Sequence, residues 1–262
     1  MKLGLNGKTA IVCGSTQGIG LAAAQELANL GANTILIARN EEKLKNAIST
    51  LHAEAENQTH DYLVADFSKP EELKSKLNTF IKERSIEILI NNTGGPAGGP
   101  VNAAQTEEFL SAFNQHLICN HILVQAVKDK MIAAGYGRII NVISTSVKQP
   151  LDNLGVSNTI RGAVANWSKT LANELGQYNI TVNNILPGAT NTVRLKSIIE
   201  NKAKQTGKTT DEVLNDMSNA SPMKRIAEPE EVANAIAFLA SPAASYINGI
   251  NVPVDGGRTK CL

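Results

Sequence analysis

The stretch Thr9-Ala10-Ile11-Val12-Cys13-Gly14-Ser15-Thr16-Gln17-Gly18-Ile19-Gly20 decides the fold. A short uncharged run leads straight into three glycines, and an amphipathic helical pattern follows over Ile19–Leu30. Such a run, closed by glycine, reads as a strand covered on both faces. Gly14 permits a tight turn, Gly18 lets the main chain approach a diphosphate, and Gly20 lets the helix pack on the strand. The free N–H groups at the start of that helix then face an anion. Gly14, Ser15, Thr16, Gln17, Gly18, Ile19 and Gly20 are therefore the first candidate contacts. The spacing is G-x-x-x-G-x-G rather than G-x-G-x-x-G, and a strand-to-helix turn without ligand is the alternative.

Outward from this turn the same alternation repeats. Strands are expected at Thr9–Cys13, Asn33–Ala38, Asp61–Ala65, Ile86–Asn91, Arg138–Ile143, Ile180–Leu186 and Gly249–Val254. Helices are expected at Ile19–Leu30, Glu41–Ala55, Pro70–Glu83, Thr106–Ala134, Val156–Tyr178 and Glu228–Ala240. Ser68 is the expected cap of the helix that opens with Pro70-Glu71-Glu72. The alternation predicts an α/β fold, a doubly wound Rossmann-type parallel sheet in one domain over residues 1–262. Residues 191–226 are polar and rich in Lys and Asn, with one short helix at Thr210–Ser218, and read as a lid over the crevice, whose Arg194 and lysines either meet an anionic carrier group or form a solvated face.

Composition narrows the partners. With 25 Lys+Arg against 24 Asp+Glu the net charge is +1, which gives no cause to expect nucleic acid or an acidic membrane. No stretch approaches the roughly 18 apolar residues of a membrane span, and a cytoplasmic protein is expected. Three cysteines without metal-ligand spacing fit a reduced compartment, and no metal is expected. Cys13 reads as a small buried hydrophobe.

The second strand ends Ile37-Ala38-Arg39-Asn40. An acid there would hold a ribose 2′-OH, whereas Arg39 suits a 2′-phosphate, so NADP(H) is favoured over NAD(H). Arg39 as a surface charge is the alternative. Asp66, followed by Phe67, is placed either to bond the adenine amino group or to cap the next helix.

Four motifs in order resemble the short-chain dehydrogenase/reductase family: Gly14…Gly18-Ile19-Gly20, Asn91-Asn92-Thr93-Gly94, Asn183-Asn184-Ile185-Leu186-Pro187-Gly188…Thr192, and Val254-Asp255-Gly256-Gly257. The match spans the chain and is nearest to the 3-oxoacyl-(acyl-carrier-protein) reductase-like branch. That resemblance implies a seven-stranded sheet in order 3-2-1-4-5-6-7, an NAD(P) cofactor and a homo-oligomer, tetramer or dimer. It implies Asn92 and Gly94 on the adenosine side. It also places Thr192 on the nicotinamide carboxamide, near Pro187 and Gly188.

In such proteins Ser, Tyr and Lys, with an Asn on the preceding long helix, support hydride transfer. A Tyr hydroxyl of ordinary pKa about 10 must be acidified to donate a proton near neutrality. Here the resemblance places Ser144 at Ser, Ser157 at Tyr, Arg161 at Lys and His116 at Asn. Arg161 can bind ribose hydroxyls, and it lies i,i+4 from Ser157, but it does not relay a proton as Lys can. Ser157 cannot replace a phenol and reads as a substrate or water contact. Tyr62, Tyr136, Tyr178 and Tyr246 all map away from the crevice. His116, with its ionisation near neutrality, is either a helix-packing residue or a proton relay through water. His121 faces elsewhere and reads as structural. The glycine-rich segment 94–100 shapes the substrate mouth or merely connects.

Two functions stand at this point. One is an NAD(P)H-dependent oxidoreductase reducing a carbonyl of the 3-oxoacyl-thioester or small-ketone type. The other is a nucleotide-binding pseudoenzyme serving as a structural or regulatory subunit.

Overall fold

The computed structural model describes residues 1–53, 55 and 57–261. Seven strands, β1 (Thr9–Cys13), β2 (Asn33–Ala38), β3 (His60–Val64), β4 (Ile88–Asn91), β5 (Gly137–Val142), β6 (Ile180–Pro187) and β7 (Asn251–Val254), form one sheet. Their order is β3-β2-β1-β4-β5-β6-β7 and every pairing is parallel. All C-terminal strand ends therefore lie along one edge, and the chain leaves β1 and β4 in diverging directions there. That divergence opens the crevice where such sheets bind ligands.

Alternate side chains of each strand feed two cores. Val12, Ile88, Ile90, Ile140 and Ile185 pack with α1 (Gly18–Asn29) and α9 (Pro229–Ala240) on one face. Ile11, Leu89, Ile139 and Val182 pack with α3 (Pro70–Phe80), α5 (Cys119–Ala134) and α6 (Gly155–Leu175) on the other. Burial on both sides is why the strands read as aliphatic runs rather than as alternating ones.

Four asparagines interrupt that aliphatic sheet at one level. Asn91 Nδ2 donates to Asn141 Oδ1 at 2.8 Å, Asn141 Nδ2 to Asn184 Oδ1 at 3.0 Å, and Asn184 Nδ2 to Asn251 Oδ1 at 2.8 Å. Asn141 Nδ2 also donates to Ser168 Oγ of α6 at 3.1 Å. A row of amides thus crosses β4, β5, β6 and β7.

Several elements depart from expectation. α2 (Glu41–Ile48) ends before Ala55 because the Ser49 and Thr50 hydroxyls turn back to the carbonyls of Asn46 and Ala47; Glu54, inside the expected range, lies outside the described residues. The cap of α3 is Lys69, not Ser68; the Ser68 N–H instead donates to Asp66 Oδ1 at 2.9 Å. The expected helix Thr106–Ala134 is two helices, α4 (Thr106–Phe113) and α5, joined by a wide π-type turn over Asn114–Ile118. The segment 191–226 holds a further helix, α7 (Val193–Thr206), before α8 (Thr210–Asn219). Leu195, Ile199 and Val213 bury together as a small separate core for this pair.

Candidate coenzyme and catalytic site

The turn after β1 is built around two left-handed glycines, Gly14 (φ +59°) and Gly18 (φ +56°). Asn92, just beyond β4, braces it: its Nδ2 donates to the carbonyls of Cys13 at 3.2 Å and Gly14 at 3.3 Å. A Cβ at Gly14 would stand 2.6 Å from Asn92 O, and one at Gly20 would overlap the Gly14 carbonyl oxygen. A Cβ at Gly18 would stand 2.9 Å from Thr192 Cγ2. The ends of β1, β4 and β6 therefore converge, with bare main chain facing the crevice at the N-terminus of α1. This cradle, which any side chain at Gly18 would fill, fits a dinucleotide diphosphate.

The remaining expected contacts divide. Thr16 is half-buried and Gln17 exposed at the turn, with Ile19 half-buried at the start of α1. Ser15 is fully buried and its hydroxyl has no partner, so only its main chain is offered to the crevice. Arg39 is exposed beyond β2 and acts on Asp66. The Ser68 N–H, and to a lesser degree Arg39, hold the Asp66 carboxyl below its ordinary value; Asp66 shapes its own turn instead of capping α3. The Phe67 carbonyl accepts from Cys119 Sγ at 3.2 Å. Gly94 is exposed, and the Gly188 N–H donates to Val254 O at 2.9 Å behind Pro187. Thr192 lies over Gly18, yet its Oγ accepts from the Leu195 N–H at 3.2 Å as the cap of α7. That hydroxyl already serves the helix. Burial drives the Cys13 and Cys119 thiols upward, and both stay protonated.

Beside the turn stand the four residues at the catalytic positions. Ser144 Oγ accepts from the Ser146 N–H at 3.1 Å, which leaves its own proton free to donate. Ser157, half-buried on α6, has no side-chain hydrogen bond among the described residues. Arg161, one turn on, is 6% exposed; its Nη1 donates to Val142 O at 3.3 Å, and its buried Nε has no partner. Burial and the nearby Arg194 lower its pKa to about 10, so it is cationic at neutrality.

Of its two expected roles, His116 has the burial of the helix-packing one. It sits inside the π-type turn, 1% exposed, with Nδ1 2.6 Å from Thr93 Oγ1. Burial, reinforced by the Arg161 charge, lowers its pKa to about 3. The imidazole is neutral throughout the physiological range and holds no dissociable imidazolium proton. Thr93 escaped the sequence reading because it looked like filler in a turn motif. His121 is exposed, its ring edge-on to Trp167 at 6.3 Å. The tyrosines also lie elsewhere: Tyr62 donates to Glu41, Tyr136 to the Ala240 carbonyl, and Tyr178 and Tyr246 are exposed.

Comparison with known proteins agrees with this geometry. The family model described as Enoyl-(Acyl carrier protein) reductase matches residues 14–259. The chain is 30% identical over 259 residues to the NADPH-dependent reductase BacG of Bacillus subtilis (strain 168), covering 97% of this chain and 99% of that protein. It is 32% identical over 253 residues to the 3-oxoacyl-(acyl-carrier-protein) reductase FabG of Chlamydia trachomatis, covering 95% and 96%. The crystal structure of L-sorbose reductase from Gluconobacter frateurii, complexed with NADPH and L-sorbose, superposes with a TM-score of 0.92 at 32% identity over 100% of both chains. Likeness this long, in sequence and in fold, makes the chain a member of the short-chain dehydrogenase/reductase family.

Proposed function

We propose that the protein is an NADP(H)-dependent reductase of a carbonyl substrate. The observation that carries this is the braced cradle of Gly14, Gly18 and Asn92 opening beside Ser144 and Arg161 at one sheet edge. Relatives described as NADPH-dependent or NADPH-bound reductases support the coenzyme, and Arg39 past β2 supplies the cation a 2′-phosphate needs. The main chain of the turn and α1 holds the diphosphate, Arg39 the 2′-phosphate, and Asp66 and Asn92 border the adenosine side. Bound there, the nicotinamide supplies a hydride.

The protein's own groups position the carbonyl and manage its charge. The Ser144 hydroxyl donates to the carbonyl oxygen. The fixed Arg161 cation stabilises the negative charge that develops as the carbon is reduced. No tyrosine of the described residues stands at the crevice to give the proton, so it comes from water. Neutral His116, with Thr93 on Nδ1, orders that water rather than ionising. The substrate is a 3-oxoacyl thioester or a small ketone.

Titration of the protein with NADPH and NADH, then NADPH oxidation with 3-oxoacyl thioesters, diketones and small ketones, tests this reading. Tight binding with turnover on at least one substrate is expected. Arg39→Ala should weaken NADPH about tenfold, roughly 1.4 kcal/mol, and leave NADH within about twofold. Ser157 favours a second reading, a coenzyme-binding subunit without turnover, and binding with no turnover on any substrate would establish it. We also read the chain as a homo-oligomer, since Tyr246 and Ile250 are exposed just before the edge strand β7; light scattering gives the state.

A further inference from the structure

The catalytic end of the crevice holds two cations, Arg161 and Arg194, and the proposed reduction gives a role only to the first. Arg161 is buried, and a guanidinium offers five donors in a planar fork. One of its donors meets the Val142 carbonyl, and the buried Nε meets nothing. A buried charge is expensive unless paired. Among the described residues no carboxylate forms an ion pair with it, and the charged group acting on it is a second cation, Arg194.

Arg194 is not a free surface charge. It leaves the first turn of α7 and reaches back to the glycine-rich segment, where Nη2 donates to Pro96 O at 2.8 Å. Gly95 lies between the two. A Cβ there would stand 3.8 Å from Arg161 Nη2 and 4.0 Å from Arg194 Nη2. Two guanidinium groups thus converge on a point kept empty by the lack of a side chain, and the N-terminal end of α7 adds its partial positive charge nearby. Ribose hydroxyls can accept hydrogen bonds from Arg161 but neutralise nothing. In the proposed function the diphosphate belongs to the turn after β1.

We propose that the gap at Gly95 takes a carboxylate, held between Arg161 and Arg194, and that the substrate is a carbonyl compound bearing that carboxylate. The planar fork of arginine matches a carboxylate with two parallel bonds, which fixes the carbonyl's orientation as well as its charge. The assignment rests on the reading of the crevice as a carbonyl site and selects the small ketone of the two substrate types, as an oxo acid, since the acyl group of a thioester has no free carboxylate.

Calorimetry on the NADPH-saturated protein tests it with three probes: oxamate, its neutral analogue oxamide, and inorganic phosphate. Oxamate should bind at least tenfold more tightly than oxamide and more tightly than phosphate. Arg194→Gln should remove most of that advantage while NADPH affinity changes less than threefold. Gly95→Leu, which keeps both charges but fills the gap, should remove it too. Equal binding of oxamate and oxamide, or an advantage that survives both substitutions, overturns the proposal; phosphate binding more tightly than oxamate overturns the choice of carboxylate. In turnover, acetoacetate should exceed methyl acetoacetate at least tenfold in kcat/KM, and the reverse order overturns the assignment. NADPH titration without probes is a separate arm. Its failure would defeat the coenzyme reading, while oxamate and oxamide titrated into the protein alone would still report on the two arginines.

Discussion

At Gly18 the main chain adopts φ +56° and a Cβ would stand 2.9 Å from Thr192 Cγ2. Gly18→Ala therefore adds strain to the turn and pushes apart the ends of β1 and β6. NADPH affinity should fall at least about tenfold, roughly 1.4 kcal/mol, measured by fluorescence titration. His116 gives a prediction in pH. Its folded pKa, about 3, lies below the ordinary histidine value of 6.5. Between those values the unfolded chain takes up a proton that the folded chain refuses, so stability falls as pH drops from 6.5 toward 3. His116→Asn should show a shallower loss of thermal midpoint over that window than wild type. The position of His116 was readable from its spacing to Gly137 and Ser144. Its neutrality was not, because it comes from burial and from Arg161, a residue far along the chain. Arg194 was likewise indistinguishable in sequence from its neighbouring surface lysines.

Helices with clear punctuation were legible, and those without it were not. α9 begins with Glu228, Pro229 and acidic residues, and its capping box forms as such sequences favour. α7 escaped, although Thr192 caps it and Leu195, Ile199 and Ala203 recur every four residues, because polar and charged residues fill most of its other positions. The joint between α4 and α5 carries no Pro or Gly, so nothing local announced the turn that holds His116. With a core of its own, the α7–α8 pair can open without the sheet. Val213→Ala, at a fully buried position, should cost about 1–2 kcal/mol of that local stability. Limited trypsin digestion should then cut first within residues 193–226, while far-UV melting of the whole chain shifts little. Coenzyme should slow that cut if the pair closes on it.

For the molecule as a whole, the strands followed from aliphatic runs broken by glycine and their order from the family resemblance, but no single strand discloses what lies beside it. Asn91 and Asn184 belong to separate motifs and Asn141 and Asn251 to none, and only the sheet pairing puts the four in line. Asn141→Leu would leave the Asn91 donor and the Asn184 acceptor buried without partners, each costing about 1–3 kcal/mol. A loss of about 3 kcal/mol or more in guanidinium unfolding is expected, larger than for Asn251→Leu at the half-buried edge. The amide row also bears on how the strands find their alignment. Where both faces are greasy, sliding β5 past β6 by two positions would leave burial almost untouched, since Asn141 would meet Val182 or Leu186 instead of Asn184. Only one setting links all four amides in a chain, the Asn91 Oδ1 at its end staying unpaired. The row works as a vernier, and a mis-set strand cannot read true.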